Sequence, residues 1–472
     1  MGRKKELPLL RGVTITDIGS EGNAIARVND MVLFVPGMIP GDIVDVRVTR
    51  KRKRYMEGVA LAVTSPSPDR IKPPCRHFGV CGGCRWQHLP YEKQLFYKEK
   101  QVKDNLTRIG HTPIPEVDHI IGSENQYFYR NKLEFTFSAR RWMTRDEIAG
   151  GEDIASSPAL GFHIPGIYDK VLDINECLLL AEPSNAIRNE ARLYALANNL
   201  PFHDLRDHKG LMRNLVIRIT GDGEVMVIAV MAEDEQEARE KLLSHIAGKF
   251  PVITSLWYVI NSKHNDSLAD QLPVHYSGSE FITETIDGLR FRVGPKSFYQ
   301  TNSRQAERLY RIVKDFAELT GSENVYDLYT GTGTIACYLA SGADRVTAIE
   351  YIQEAVADAN VNASVNNISN VEFIAGDIKD ILGEALFDER GRPDVIVTDP
   401  PRAGMHVDVV GAIRRSGAGR IVYVSCNPAT QARDIDLLSS AYSVTRVQPV
   451  DMFPQTFHVE NVVLLEKKSE GQ

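Results

Sequence analysis

The chain is short of cysteine, of long apolar runs and of net positive charge, and each shortage removes a class of protein. No apolar stretch approaches the ~20 residues that a membrane-spanning helix needs. The first residues, MGRKKELPLL, carry basic side chains but no following apolar segment of signal-peptide length. The sequence therefore reads as soluble and cytoplasmic, with no membrane partner. The formal net charge is −7, so bulk charge does not advertise a polyanion binder. Only six cysteines occur in 472 residues. In a reducing compartment such thiols stay free, and a cluster of them then points to metal or catalysis. Internal repeats and low-complexity tracts are also missing.

What is there is an ordinary globular composition, 43% hydrophobic and 25% charged, in a chain long enough for two to four domains. Residues 1–64 alternate short β-type runs (GVTITDIG, AIARVND, MVLFVPG, DIVDVRVTR, GVALAVT) with glycine turns, which predicts a small five-stranded barrel. Charge is uneven there: residues 1–60 hold 11 Lys/Arg against 7 Asp/Glu, and Thr49–Tyr55 reads TRKRKRY. Such a run is either a solvated loop or a phosphate contact. The proline-rich stretch Thr64–Pro74 marks a boundary. Residues 65–285 mix strands (KLEFTFSA, NLVIRIT, EVMVIAVMA, SLWYVINS) with helices (AIRNEARLYALANN, DEQEAREKLLSHIAGKF). From 286 to 472 helices and strands alternate regularly, the pattern of a largely parallel α/β sheet. The expected fold is multidomain: barrel at 1–64, α+β at 65–285, Rossmann-like α/β at 286–472.

Four constellations carry chemistry. Cys75, Cys81 and Cys84 in CRHFGVCGGC, with Cys177 as a distant fourth, suit a structural zinc or an iron–sulfur cluster, and spacing alone does not choose. In VYDLYTGTGTIACYLA, Gly331, Gly333 and Ala336 fit G-x-G-x-x-A, and Glu350 ends the next β-type run. That pattern seats a dinucleotide, and the same architecture serves S-adenosylmethionine. Asp399 ends the run before PPRAG, and Cys426 ends IVYVSC. Cys426 is either small apolar filler or a presented thiol. If the last strand returns antiparallel through PQTFH, Glu460 in HVEN comes back to the edge that carries Asp399 and Cys426.

At these residues the chain resembles the S-adenosylmethionine-dependent RNA uracil-5-methyltransferases over essentially its whole length. The resemblance implies a TRAM domain, an OB-like RNA-binding barrel, at the N-terminus. It implies a 4Fe–4S cluster on Cys75, Cys81, Cys84 and Cys177, with Gln300 (in SFYQTN), Tyr329, Thr334, Glu350, Asp377 and Asp399 around the cofactor. It implies Cys426 as nucleophile and Glu460 as base. Many family members carry Phe and Asn where Tyr329 and Thr334 stand. Barrel and cluster together resemble the branch acting on 23S ribosomal RNA, with the transfer-RNA branch as the alternative. A monomer is expected. The chemistry asks for the same groups: uracil C5 is a poor nucleophile until a thiolate adds at C6, and a base must then remove the C5 proton. Arg402 is the cation expected to favour that thiolate. YRNK (Tyr129–Lys132) is expected at the RNA surface. Two rival readings are a non-catalytic RNA-binding assembly factor and an NAD-dependent oxidoreductase.

Overall fold

The computed structural model describes residues 7–151, 157–268 and 270–469. Six strands build the N-terminal barrel: β1 (Leu9–Thr14), β2 (Asp17–Ile18), β3 (Ala24–Val28), β4 (Met31–Val35), β5 (Ile43–Lys51) and β6 (Tyr55–Ser65). The expected first strand is two. β1 pairs with β5 at one edge of the sheet and β2 with β3 at the other, so the bend at Ile15–Thr16 closes the sheet on itself. Alternate residues Ala24, Ala26, Leu33, Val35, Val44, Val46 and Val48 point into the barrel core, the period-2 signature of a strand with one wet face. The basic run forms the end of β5 and the turn into β6. Beyond β6, the buried Asp42 carboxylate accepts from Ser67 N (2.9 Å) and Arg70 Nε (3.0 Å), which ties the proline-rich linker to the barrel.

The middle of the chain contributes α1 (Tyr91–Arg108), β7 (Lys132–Ser138), the short α2 (Arg145–Ala149), β8 (Ala159–Ile164), β9 (Ile167–Asp173), α3 (Ser184–Ala197), β10 (Met212–Ile219), β11 (Val225–Met231), α4 (Gln236–Lys249), β12 (Ile253–Ile260) and β13 (Val274–Gly278). The strands form one sheet in the order β13-β12-β11-β10-β7-β8-β9. It is antiparallel except for the β11–β12 pair, which α4 connects. β11 is apolar throughout because both faces are covered: Met226, Ile228 and Val230 enter one core, while Val225, Val227, Ala229 and Met231 enter the other.

The last part begins with the hairpin β14 (Ile282–Ile286) and β15 (Leu289–Val293), followed by α5 (Ser303–Ala317), β16 (Asn324–Leu328), α6 (Thr334–Ala340), β17 (Arg345–Glu350), α7 (Gln353–Val365), β18 (Val371–Ala375), α8 (Ile378–Ile381), α9 (Glu384–Arg390), β19 (Val395–Thr398), α10 (Val407–Ser416), β20 (Arg420–Ser425), α11 (Pro428–Leu438), β21 (Tyr442–Val450) and β22 (Glu460–Lys467). Its sheet runs β18-β17-β16-β19-β20-β22-β21. The first five strands are parallel, and β22 inserts antiparallel between β20 and β21.

Helix α1 crosses between these units. Val102 and Leu106 join the core beneath the C-terminal sheet, and the helix packs on α11 and β21. One turn nearer its N-terminus the same face turns polar. Lys98 Nζ reaches Asp451 Oδ1 (2.6 Å) and Phe453 O (3.0 Å), and Tyr91 Oη donates to Asp451 Oδ2 (2.8 Å). Both ions are fully buried. Burial pushes the Lys98 ammonium below its ordinary range, and Asp451 opposes that shift. Removing one partner strands a buried charge, so Lys98→Ala should cost roughly 3–5 kcal/mol of stability, measured by urea denaturation. Lys98→Met with Asp451→Asn should recover most of that loss, because neither ion then remains.

Candidate active site

The C-terminal sheet puts the candidate residues in a row. After β16 the chain builds β17 and β18 on one side, then returns to build β19 and β20 on the other. The crevice outside the strand ends at such a switch point is where open α/β sheets bind ligands. Asp377 follows β18, Glu350 ends β17, Tyr329 follows β16, Asp399 follows β19, Cys426 follows β20, and Glu460 opens the returning β22. At about 4.8 Å per strand, the row spreads over roughly 24 Å.

The loop after β16 is shaped to receive a ligand. Tyr329 and Gly331 have positive φ (66° and 57°). Gly333 (φ 77°) caps α6, and a Cβ there would lie 2.9 Å from Ala359 and Phe373, so only glycine fits. Glu350 holds the loop from the neighbouring strand, accepting from Gly331 N (3.0 Å) and Ile352 N (2.9 Å). An ionised carboxylate has about four acceptor sites, so capacity remains for hydroxyl donors. Thr334 Oγ1 meets Tyr310 Oη (3.1 Å). Asp377 caps α8 through Lys379 N (3.1 Å) and pairs with Lys379 Nζ (2.9 Å), which holds its carboxyl below the usual range. Gln300 lies on the segment before α5, its main-chain oxygen accepting from Asn131 Nδ2 (2.9 Å).

At the other end of the row a tight turn presents Cys426. Asn427 N donates to Ser425 Oγ (3.1 Å), and the Asn427 side chain caps α11 through Ala429 N (3.2 Å). Asn427 Nδ2 also donates to Arg402 O (3.0 Å), fixing this turn against the one after β19. Ser425 pairs with Asn461 in the β20–β22 ladder, so the antiparallel return brings Glu460 beside Cys426. The thiol is half-buried, and its pKa is pushed up to about 12, first by burial and then by the Glu460 and Asp399 carboxylates. Arg402 opposes the shift and loses. The cation expected to make a thiolate is exposed at the rim and is outweighed by burial of the thiol and by the two acids. Burial lifts Asp399 to about 7. Burial and Asp399 together hold Glu460 well above the usual carboxylate range.

Two residues that the sequence reading passed over belong here. Asp327, inside the buried β16, is raised to about 7 by burial. Its Oδ2 accepts from Thr330 Oγ1 (2.5 Å), whereas its buried Oδ1 has no partner. An acid inside an apolar strand was the available signal. His458 is pushed down to about 4 by burial and by the cations of Arg402, Lys98, Arg130 and Arg85. YRNK does not lie at the surface as a unit. Tyr129 is buried, donating to Pro454 O (3.0 Å), and Asn131 holds the Gln300 segment.

The four thiols expected to bind metal face one another: Cys81, Cys177 and Cys75 all add to the cost of ionising Cys84, after burial itself. Yet among the described residues no group of three or more His, Cys, Asp or Glu side chains is placed to hold a metal ion. The thiols are free; three come from the single stretch Cys75–Cys84, and the fourth, Cys177, lies before α3.

The profile of the tRNA (Uracil-5-)-methyltransferase family matches residues 278–468, and that of the TRAM domain matches residues 11–61. An uncharacterized RNA methyltransferase of Bacteroides thetaiotaomicron is 55% identical over 95% of this chain and 100% of its own length. One from Porphyromonas gingivalis is 54% identical over 97% of this chain and 100% of its own. Among solved structures, the Pyrococcus abyssi tRNA (uracil-54, C5)-methyltransferase in complex with S-adenosyl-L-homocysteine superposes with a TM-score of 0.74. It is 28% identical and covers 97% of this chain and 100% of that one. With the barrel, the switch-point loop and the row of acids around Cys426 in place, the chain belongs to the S-adenosylmethionine-dependent RNA uracil-5-methyltransferases, with a TRAM domain at its N-terminus.

Proposed function

We propose that the protein methylates C5 of a uridine in RNA through a covalent bond between Cys426 and uracil C6. The observation that carries this reading is the meeting of Cys426, Asp399 and Glu460 at one strand edge, each raised in pKa by burial. Cys426, in its thiolate form, adds through Sγ to C6, and the C5=C6 pair moves to give an enolate with carbanion character at C5. S-adenosylmethionine, when bound, supplies an electrophilic methyl group there. Glu460 takes the C5 proton, the C5=C6 bond re-forms and the C6–S bond breaks, returning the sulfur as thiolate. A carboxylate whose basicity is raised by burial suits that last step.

Gln300, Tyr329, Thr334, Glu350, Asp377 and Asp399 would hold the cofactor. The unpartnered Asp327 Oδ1 fits a ligand that brings its own donor, such as an ammonium group. Cys75, Cys81, Cys84 and Cys177 would hold a 4Fe–4S cluster. The substrate we favour is 23S ribosomal RNA. The Pyrococcus enzyme, a tRNA methyltransferase aligned along the whole chain, supports transfer RNA as the second reading. The exposed Arg85 and Arg402 near His458 suit either polyanion.

Three experiments test this reading. With 5-fluorouridine in the target, fluorine cannot leave as a proton does, so wild type should stay bonded to RNA on a denaturing gel. Cys426→Ala should abolish adduct and turnover, and Glu460→Gln should accumulate adduct with ordinary uridine. Run with 23S and transfer-RNA transcripts, the same gel assigns the substrate. Methylation by Cys426→Ala would remove the mechanism. Because the Cys426 pKa is raised to about 12, the thiolate fraction at pH 7–10 is small and grows about tenfold per unit. Iodoacetamide labelling of Cys426, read by mass spectrometry, should rise accordingly and be faster in Glu460→Gln. Finally, anaerobically purified protein should be brown with about four iron atoms per chain. Stoichiometric zinc without iron would replace the cluster with a structural zinc site.

A further inference from the structure

The base of the proposed reaction sits at a precarious place. Glu460 pairs with Val450 as the last rung of the β21–β22 ladder, and the nine-residue connection 451–459 closes immediately beyond it. Terminal rungs next to a loop are the first to open. Glu460 can therefore hold its geometry only if the connection is held from outside.

Two buried glutamines do this. Gln94 and Gln455 are 1% and 2% exposed. Gln94 Nε2 donates to Gln455 Oε1 (3.0 Å), and Gln455 N donates back to Gln94 Oε1 (3.0 Å), closing a reciprocal pair between α1 and the connection. Gln94 Nε2 also lies within bonding distance of Trp86 O (3.0 Å) and Leu89 O (2.8 Å). Gln455 O then accepts from Arg85 N (2.9 Å) and Trp86 N (3.0 Å), the two residues directly after Cys84. Gln455 adopts a φ of 67°, a conformation that a non-glycine side chain keeps only where its surroundings hold it. On α1, Gln94 shares a face with Tyr91 and Lys98 at i+3 and i+4 spacing, and those two hold Asp451. One helix face thus grips both the start and the middle of the connection.

We infer that Gln94 and Gln455 are positioning residues for Glu460: the pair fixes the 451–459 connection to α1 and to the segment after Cys84, so that the last rung stays closed while the C5 proton is removed. The inference rests on Glu460 being the base. It separates two steps of one reaction. Sulfur addition and methyl transfer depend mainly on Cys426 and the cofactor loop, which lie on other strands and feel Glu460 only through its charge, whereas deprotonation depends on the position of this rung.

The test uses the full-length protein with target RNA and S-adenosylmethionine, in single turnover. Gln94→Met removes every bond of the pair and keeps side-chain length. Gln455→Gly removes only the side-chain bond and tolerates the positive φ. In Gln94→Met, methyl transfer to RNA should stay within about twofold of wild type. Release should slow by about tenfold to a hundredfold, so that covalent adduct accumulates, and hydrogen exchange in the 451–459 peptide should speed up. Gln455→Gly should show the same pattern more weakly, and it carries the test if Gln94→Met does not fold. Equal slowing of both steps, or no adduct in the variant that folds, overturns the positioning role. Glu460→Gln runs beside them. If it accumulates adduct and the glutamine variants do not, only this inference falls; if it too gives none, the assignment of the base falls and takes the inference with it.

Discussion

A lysine ammonium and an aspartate carboxylate, both sealed from water, sit where the parts of the chain meet. The isolated cost of burying either ion is several kcal/mol, and the pair is tolerable only because its partners are complete: Asp451 accepts from Lys98 and Tyr91, and Lys98 also reaches Phe453 O. This closed set decides where α1 lies. With α1 fixed, Val102 and Leu106 reach the core under the C-terminal sheet. The chain that follows α1 then runs alongside β21, with Asp118 N and Ile121 N donating to Val447 O and Pro449 O (both 3.0 Å). The geometry of the candidate edge is thus built partly from residues such as Lys98, 353 positions before Asp451 in the chain.

That edge gathers acids where water is scarce. Asp327, Asp399 and Glu460 all have raised pKa values, with burial as the first cause. In a resting protein such a group is an electrostatic liability. Toward a cationic sulfonium it is a complement, since a positive charge relieves the repulsion that adds to burial in keeping Cys426 protonated. Under the proposed mechanism, charge on the cofactor and ionisation of Cys426 would be linked through two carboxylates more than through the exposed arginine nearby.

How much of this was legible in the sequence depended on whether a residue's role is local. The strand Arg345–Glu350 was readable to the residue, and β11 was readable as a strand, but its burial on both faces emerges only from the packing. The position of Glu460 followed from one conditional, an antiparallel return, which the turn after β21 realises. Helix α1 was unreadable because its buried face carries Gln94, Lys98 and Asn105 among its apolar residues, and a polar buried stripe erases the amphipathic signal. The influence of Arg402 was misjudged because Asp399 and Glu460, although both expected at the same edge, were not weighed there with burial as opposing effects on the Cys426 thiol. Tyr129 looked like an RNA contact for a local reason: aromatic and basic neighbours suggest a surface, and only tertiary structure reveals Pro454 above the ring hydroxyl.

The barrel offers a different kind of consequence. Its Ile18 and Ile39 share a small apolar cluster with Trp86 and Leu89, against which Phe457 packs, and Gly22 lies so close to Phe457 that an added Cβ would come within 2.7 Å. An accessory module joined by a linker would be free to come and go during evolution. Here, a descendant that shed its first 65 residues would bare Trp86, Leu89 and Phe457 together, beside the strand that carries Glu460. Loss of the barrel therefore carries the cost of exposing that apolar surface to water, so the module is structurally part of the site's support and not a detachable accessory.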